Sequence, residues 1–261
     1  MWLPRTPPER NTETATRAPD TVVNGEQMTD RRVRVVPALL TDSASALSTM
    51  ARVAAGLHTF VQIDIMDGRF VPARSITAED LQSVVMPFDW EAHLMVQCPD
   101  EYFAPMKRAG AQRVIFHQEA SGDPVATIRA ARELGLGVGL ALNPETPVGA
   151  VLHLLNQLDV LLLLTVTPGY YGSPFVPEVL DKVRQLRALA PALEIEVDGG
   201  VKESNIEDVV RSGADSICVG SAVFLQPDPS LAYKRLLALA RRAMSGPSVD
   251  RATDGHVPET D

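Results

Sequence analysis

Short runs of β-branched and leucine residues recur along the chain, and each is followed by a longer stretch in which apolar positions return every three or four residues. The short runs predict strands at 33–39, 60–65, 91–96, 113–117, 137–142, 160–165, 194–198 and 216–220. The longer stretches predict helices over 43–56, 78–85, 99–109, 124–134, 147–157, 177–189, 202–212 and 228–244. Pro99, Pro124, Pro147 and Pro177 stand near predicted helix starts, where a missing N–H costs nothing. Gly56, Gly110, Gly135 and Gly213 stand at predicted helix ends. Strands that are apolar throughout are buried on both faces, the pattern of a parallel sheet. About eight strand–helix units are what closes a (β/α)8 barrel, so the fold expected over 32–244 is a single-domain TIM barrel of the α/β class. The alternative, a doubly wound open sheet, lacks a Gly-x-Gly-x-x-Gly turn after the first strand.

Residues 1–31 and 245–261 are rich in polar residues and proline without periodicity, and they read as a disordered leader and tail. The 261 residues are 45% hydrophobic but only 5% aromatic, so the core has to be built from Leu, Val, Ile and Ala. A net charge of −9 argues against nucleic acid or an anionic membrane as partner. It leaves room for a phosphorylated ligand, which backbone N–H groups hold without net positive charge. Cys98 and Cys218 form no Cys-x-x-Cys and read as reduced thiols in a cytoplasmic setting. No apolar run approaches the roughly 18 residues that span a bilayer, and the first residues lack the apolar segment of a secretory signal.

In such a barrel the chemistry sits at the C-terminal ends of the strands. Three polar residues there interrupt apolar strands: Asp64, His93 and Asp198. Side chains two apart on a strand share a face, so Gln62, Asp64 and Met66 point together, as do His93 and Met95. A charge inside a barrel needs a partner, a metal or a ligand. The alternative is that each aspartate ties down loop backbone and that the methionines are core filler. Gly169 and Gly172, Gly199 and Gly200, and Gly220 with Ser221 form a second constellation at the last three strand ends, where this fold commonly seats phosphate. His117 and Glu119 stand at the end of the fourth strand, and His117 reads as structural.

These strand ends carry recognisable motifs: Ile63-Asp64-Ile65-Met66-Asp67-Gly68, Phe70-Val71-Pro72, His93-Leu94-Met95-Val96, Phe116-His117-Gln118-Glu119-Ala120, Leu142-Asn143-Pro144, Thr167-Pro168-Gly169, Val197-Asp198-Gly199-Gly200 and Gly220-Ser221-Ala222. In order, over about 33–225, they resemble the ribulose-phosphate 3-epimerase family, including its allulose-6-phosphate branch. The resemblance implies an isomerase that interconverts ketose phosphates at C3 through an enediolate. It implies Asp64 and Asp198 as the acid/base pair, and a divalent metal (Zn, Mn, Fe or Mg) held by Asp64, His93 and Asp198. Met66 and Met95 would flank the intermediate, with Gly169, Gly172, Gly199, Gly200, Gly220 and Ser221 around the phosphate. No organic cofactor is implied, and a homo-oligomer is.

The chain departs from that pattern. Gln62 stands where the family has a fourth, histidine ligand, which weakens the expected metal site. Ala38 replaces a serine, Leu164 a methionine, Arg69 a histidine and Ala73 an asparagine, and the glycine-rich loop reads Gly169-Tyr170-Tyr171-Gly172-Ser173. Two other readings therefore stay open. One is a different phosphosugar isomerase or lyase with weak or no metal dependence, though not by a lysine Schiff base, since no lysine stands at a predicted strand end. The other is a non-catalytic phosphosugar-binding barrel.

Overall fold

The computed structural model describes residues 33–245, apart from 121 and 170–172. Its strands are β1 Arg34–Leu39, β2 Phe60–Met66, β3 Asp89–Met95, β4 Arg113–His117, β5 Gly137–Leu142, β6 Val160–Leu164, β7 Glu194–Asp198 and β8 Ser216–Val219. They pair in sequence order, all parallel, and β8 closes on β1. This is the (β/α)8 barrel expected from the alternation. The expected leader over 1–31 lies outside the described residues, as does the expected tail from 246 on, while Ser245 caps the last helix.

The helices are α1 Ala44–Ala55, α2 Ala78–Ser83, α3 Asp100–Ala109, α4 Pro124–Glu133, α5 Val179–Leu189, α6 Ile206–Ser212, α7 Ser221–Phe224 and α8 Pro229–Met244. Two expectations need correction. The stretch predicted as a helix over 147–157 folds instead as two 3-10 turns, Val148–Val151 and Leu155–Gln157. Its buried residues Val148, Val151 and Leu154 return every three positions, the 3-10 period, and Gly149 weakens any α-helix there. The helix predicted from 202 begins only at Ile206. The Asn205 side chain takes the Lys202 N–H at 2.7 Å and donates to the Gly200 carbonyl at 3.1 Å, which holds 200–205 as a loop. The short α7 had no counterpart in the sequence reading.

Alternation along each strand splits the core in two. Ile63, Leu94, Leu140, Leu161, Leu163 and Val197 join the helix residues Leu47, Phe103, Met106, Ile128, Val183 and Leu236 in one large cluster. Each such leucine or isoleucine contributes about 1.5–3 kcal/mol on burial. The other strand face fills the barrel, with Ile115, Ala141, Leu162 and Leu164 on one side and Val36, Ala38 and Cys218 on the other.

The interior is not wholly apolar. Arg113 donates from Nε to Glu91 (2.6 Å) and from its two Nη atoms to Glu194 (3.0 and 3.2 Å), and it lies 3.6 Å from Glu196. Arg34 and Ser216 add further hydrogen bonds to Glu194. Glu91 and Glu196 are fully buried, and neither oxygen of Glu196 has a hydrogen-bond partner among the described residues. Burial, then the neighbouring Glu91, pushes the Glu196 carboxyl well above the ordinary range. Glu91 is two residues before His93 and Glu196 two before Asp198, so this ionic layer lies one step beneath the strand ends.

Candidate active site

Strands β2, β3 and β7 bring Asp64, His93 and Asp198 together. Asp64 and His93 are paired in register, and β7 ends on Asp198. His93 Nδ1 lies 3.1 Å from Asp64 Oδ1 and 3.4 Å from Asp198 Oδ2. Gln62, fully buried, donates from Nε2 to the same two oxygens at 2.9 Å each. Its Oε1 accepts from the Cys218 thiol at 3.1 Å. Chemistry fixes this amide orientation, because two carboxylates demand the NH2 end and a thiol donor demands the carbonyl.

Burial holds the Asp64 carboxyl up at about 6 against its hydrogen bond from His93, and the charge of Asp198 adds to the rise. Burial opposes a charge on His93, but hydrogen bonds to Asp198 and Asp64 outweigh it and hold the ring at about 10. The arrangement is a pair of carboxylates converging on one imidazole, close enough for all three groups to act on one ligand. Behind it stands His117, whose ring burial holds down at about 4.

Beside the carboxylates opens a cavity of about 140 Å³. Met66 and Met95 wall the side nearest Asp64, where they pack with Val71. Gly169, Gly199, Gly200, Gly220 and Ser221 wall another. Gly199 and Gly200 both have positive φ, 105° and 65°, and a Cβ on Gly199 would stand 2.5 Å from Val166 Cγ2. A side chain is thus excluded at that turn. Thr165 Oγ1 ties the turn down through the carbonyls of Asp198 and Gly199, at 2.9 and 2.5 Å. Gly172, expected around the phosphate, lies outside the described residues, as does Tyr171. Fully buried His93 is not on the cavity wall but backs the two carboxylates.

Lys202 was not among the site residues expected from the motifs. It lines the cavity beside Gly200 and Ser221, and its ammonium makes no hydrogen bond or ion pair among the described residues. The signal was a lysine three residues after Gly199, hidden because the segment read as helix. Asp67 has a structural part. Its carboxylate accepts from the N–H groups of Arg69, Phe70 and Gln97 at 2.8–2.9 Å and fastens the loops after β2 and β3.

The sequence profile described as the ribulose-phosphate 3 epimerase family matches residues 34–224. This chain belongs to that family. Ribulose-phosphate 3-epimerase 1 of Cupriavidus necator is 39% identical to it over 236 residues, covering 85% of this chain and 97% of that enzyme. The ribulose-phosphate 3-epimerase of Escherichia coli K12 is 36% identical over 214 residues, 78% of this chain and 92% of that one. Among solved structures, 3-hexulose-6-phosphate synthase from Salmonella typhimurium aligns with a TM-score of 0.61 at 19% identity, covering 81% of this chain and 100% of that one, which shows the shared barrel.

For this member of the epimerase family, the donor set can be tested against a divalent cation. Asp64, His93 and Asp198 each offer one ligand atom, all within 4.8 Å of one another. Two carboxylate oxygens and an imidazole nitrogen suit such an ion as three of its ligands. Gln62 becomes a fourth only by turning its amide over and giving up the thiol hydrogen bond from Cys218. No helix among the described residues is long and apolar enough to cross a membrane.

Proposed function

We propose that this chain is an epimerase that inverts C3 of a small ketose phosphate, with Asp64 and Asp198 as the proton-transfer pair. The observation that carries the reading is their convergence. They reach in from β2 and β7, share the Gln62 amide and line one cavity together with Gly169, Gly199, Gly200 and Gly220. Inversion needs one group to take the C3 proton from one face and a second to return a proton to the other. A C–H beside a ketone is too weak an acid for a carboxylate unless the forming oxyanion is stabilised. A divalent ion held by Asp64, His93 and Asp198 supplies that stabilisation when bound. His93 keeps the two carboxylates together despite their like charge, and Met66 and Met95 keep water from the reacting carbon. Gly169, Gly172, Gly199, Gly200, Gly220 and Ser221 take the phosphate, joined by Lys202. No organic cofactor is required by these steps. The proposed setting is the cytoplasm, which suits two free thiols. The proposed assembly is a homo-oligomer, which light scattering tests.

The decisive experiment incubates the protein with ribulose 5-phosphate in D2O, with Mn2+ and with chelator. Deuterium at C3 together with formation of the epimer is expected. Binding without exchange, or cleavage products, would sink the reading. The Gln62 NH2 turned toward the carboxylates leaves three ligands for the ion, so the metal is expected to be held weakly and the exchange to fall when chelator removes it.

Gln62→His is expected to tighten Mn2+ or Zn2+ binding by about 10- to 100-fold, because an imidazole replaces an amide whose hydrogens face the ion. Titration calorimetry on metal-stripped protein reads this directly, and an unchanged affinity would overturn the account of Gln62. Lys202→Met is expected to raise KM by about 10-fold with kcat little changed, since the ammonium meets a phosphate remote from C3. Lys202→Arg should keep KM near the wild-type value. A fall in kcat at unchanged KM would put Lys202 in the chemistry instead.

A further inference from the structure

The motif Phe116-His117-Gln118-Glu119-Ala120 has so far been given no task, yet it stands directly behind the carboxylate pair. His117 Nε2 lies 2.9 Å from His93 Nε2, and its Nδ1 lies 3.3 Å from Glu119 Oε2. Both rings are buried. The other Glu119 oxygen accepts from the Asn143 N–H at 2.9 Å and from the Thr146 hydroxyl. Lys182 fixes that segment by donating to the Asn143 and Thr146 carbonyls at 3.0 and 2.6 Å. Glu119 is thus anchored on one oxygen and presents the other, an acceptor, to His117.

Hydrogen counting then runs one way along the chain of contacts. A contact of 2.9 Å between two ring nitrogens needs one hydrogen between them, and either ring can supply it. Glu119 takes a hydrogen from His117 Nδ1. Of two buried rings in contact only one carries a charge, and His93 faces two carboxylates where His117 faces one, so His117 is the neutral ring; its single hydrogen is on Nδ1 and its Nε2 is an acceptor. The hydrogen between the rings therefore belongs to His93 Nε2, whether His93 is neutral or charged. Its Nδ1 is left to face Asp64 and Asp198, as a lone pair or as a second N–H.

We propose that Glu119 and His117 form a relay that assigns the ring hydrogen of His93 to Nε2 and so delivers Nδ1 to the two catalytic carboxylates. Both are positioning residues, since neither lines the cavity. Their part in turnover rests on the epimerase reading, but the hydrogen assignment does not. Groups that orient a metal-ligating histidine typically change metal affinity or activity by about 10- to 100-fold when altered.

Glu119→Gln is the telling substitution because it keeps the shape and reverses the polarity. The glutamine carbonyl retains the donors from Asn143 and Thr146, and its NH2 then faces His117 Nδ1. That nitrogen must become an acceptor, which moves the His117 hydrogen to Nε2 and sets it against the hydrogen of His93. Ring-nitrogen NMR on 15N-labelled, metal-free protein reads the positions. In the wild type His117 is expected to carry its hydrogen on Nδ1, and in Glu119→Gln on Nε2. The variant is further expected to bind Mn2+ about 10-fold more weakly and to lose about 10-fold in kcat at unchanged KM. Glu119→Asp, still an acceptor, should keep the wild-type ring signals. A purely structural Glu119 would instead lower the melting temperature and leave the ring signals alone. A wild-type His117 with its hydrogen on Nε2, or a variant in which it stays on Nδ1, would overturn the relay. If Glu119→Gln does not fold, the wild-type spectrum decides alone. Absence of C3 exchange in every form would defeat the epimerase reading while the spectra still judge the relay.

Discussion

Asp198→Asn is expected to lower C3 inversion by roughly 10²–10⁴-fold in both directions, the usual share of a positioned acid/base group. The substitution is nearly isosteric. An asparagine carbonyl still accepts from Gln62 Nε2, which now donates to Asp198 at 2.9 Å, so the barrel should fold as before. On the proposed reading, what is lost is a group that holds a proton on one face of the substrate while Asp64 serves the other. Deuterium incorporation should fall with the inversion rate, while affinity for the phosphorylated substrate changes little, because Gly199, Gly200 and Lys202 are untouched. NMR of ribulose 5-phosphate in D2O measures the exchange, and a coupled assay from each epimer measures the inversion. A variant that still inverted C3 at a tenth of the wild-type rate would remove Asp198 from the chemistry.

Arg113→Met should cost about 3–5 kcal/mol of folding stability, measured by urea denaturation at pH 7. The guanidinium is the buried partner of Glu91, Glu194 and Glu196 at once. Without it, carboxylates in the barrel interior are stripped of their counter-charge. The sign of the pH dependence follows. In the native protein Arg113 holds the Glu194 carboxyl below its ordinary range, although burial works the other way. That contribution is present above the unfolded carboxylate range and fades as pH falls through the native value. In the variant Glu194 is pushed up instead, and Glu91 and Glu196, already raised by burial in the native protein, rise further, so folding takes up protons and is favoured by acid. The deficit should therefore shrink between pH 7 and pH 5. A deficit that stayed constant over that interval would mean that lost packing around Arg113, rather than unpaired charge, sets the cost.

The barrel was legible because each level of the sequence agreed with the others. Apolar runs gave buried parallel strands, and glycines and prolines stood at helix ends. The candidate residues Asp64, His93 and Asp198, which the barrel brings together, stood out for a different reason, as polar interruptions at three strand ends. Neighbouring residues of the same kind escaped. Glu91, Arg113, Glu194 and Glu196 are also polar positions on buried strands, but Arg113 and Glu194 open theirs, where solvent exposure is the ordinary expectation, and Glu91 and Glu196 lie mid-strand, away from the ends where chemistry is sought. Only barrel closure turns them toward one another. The missed 3-10 turns show a narrower limit. Spacings of three belong to both helical periods, and Val148, Val151 and Leu154 offer no fourth position to separate them. Lys202 was lost to a boundary, since the side chain of Asn205, three residues on, is what keeps it out of α6.

The two cysteines are placed so differently that they can serve separate reporting tasks. Cys218 is buried on the cavity wall beneath Gln62, whereas Cys98 is partly open, just past the Gln97 amide that fastens the β3 loop to Asp67. A maleimide dye offered to the native protein should attach at Cys98 alone. Its fluorescence would follow movements of the loop after β3, and uptake of a second equivalent would time the opening of the interior during unfolding.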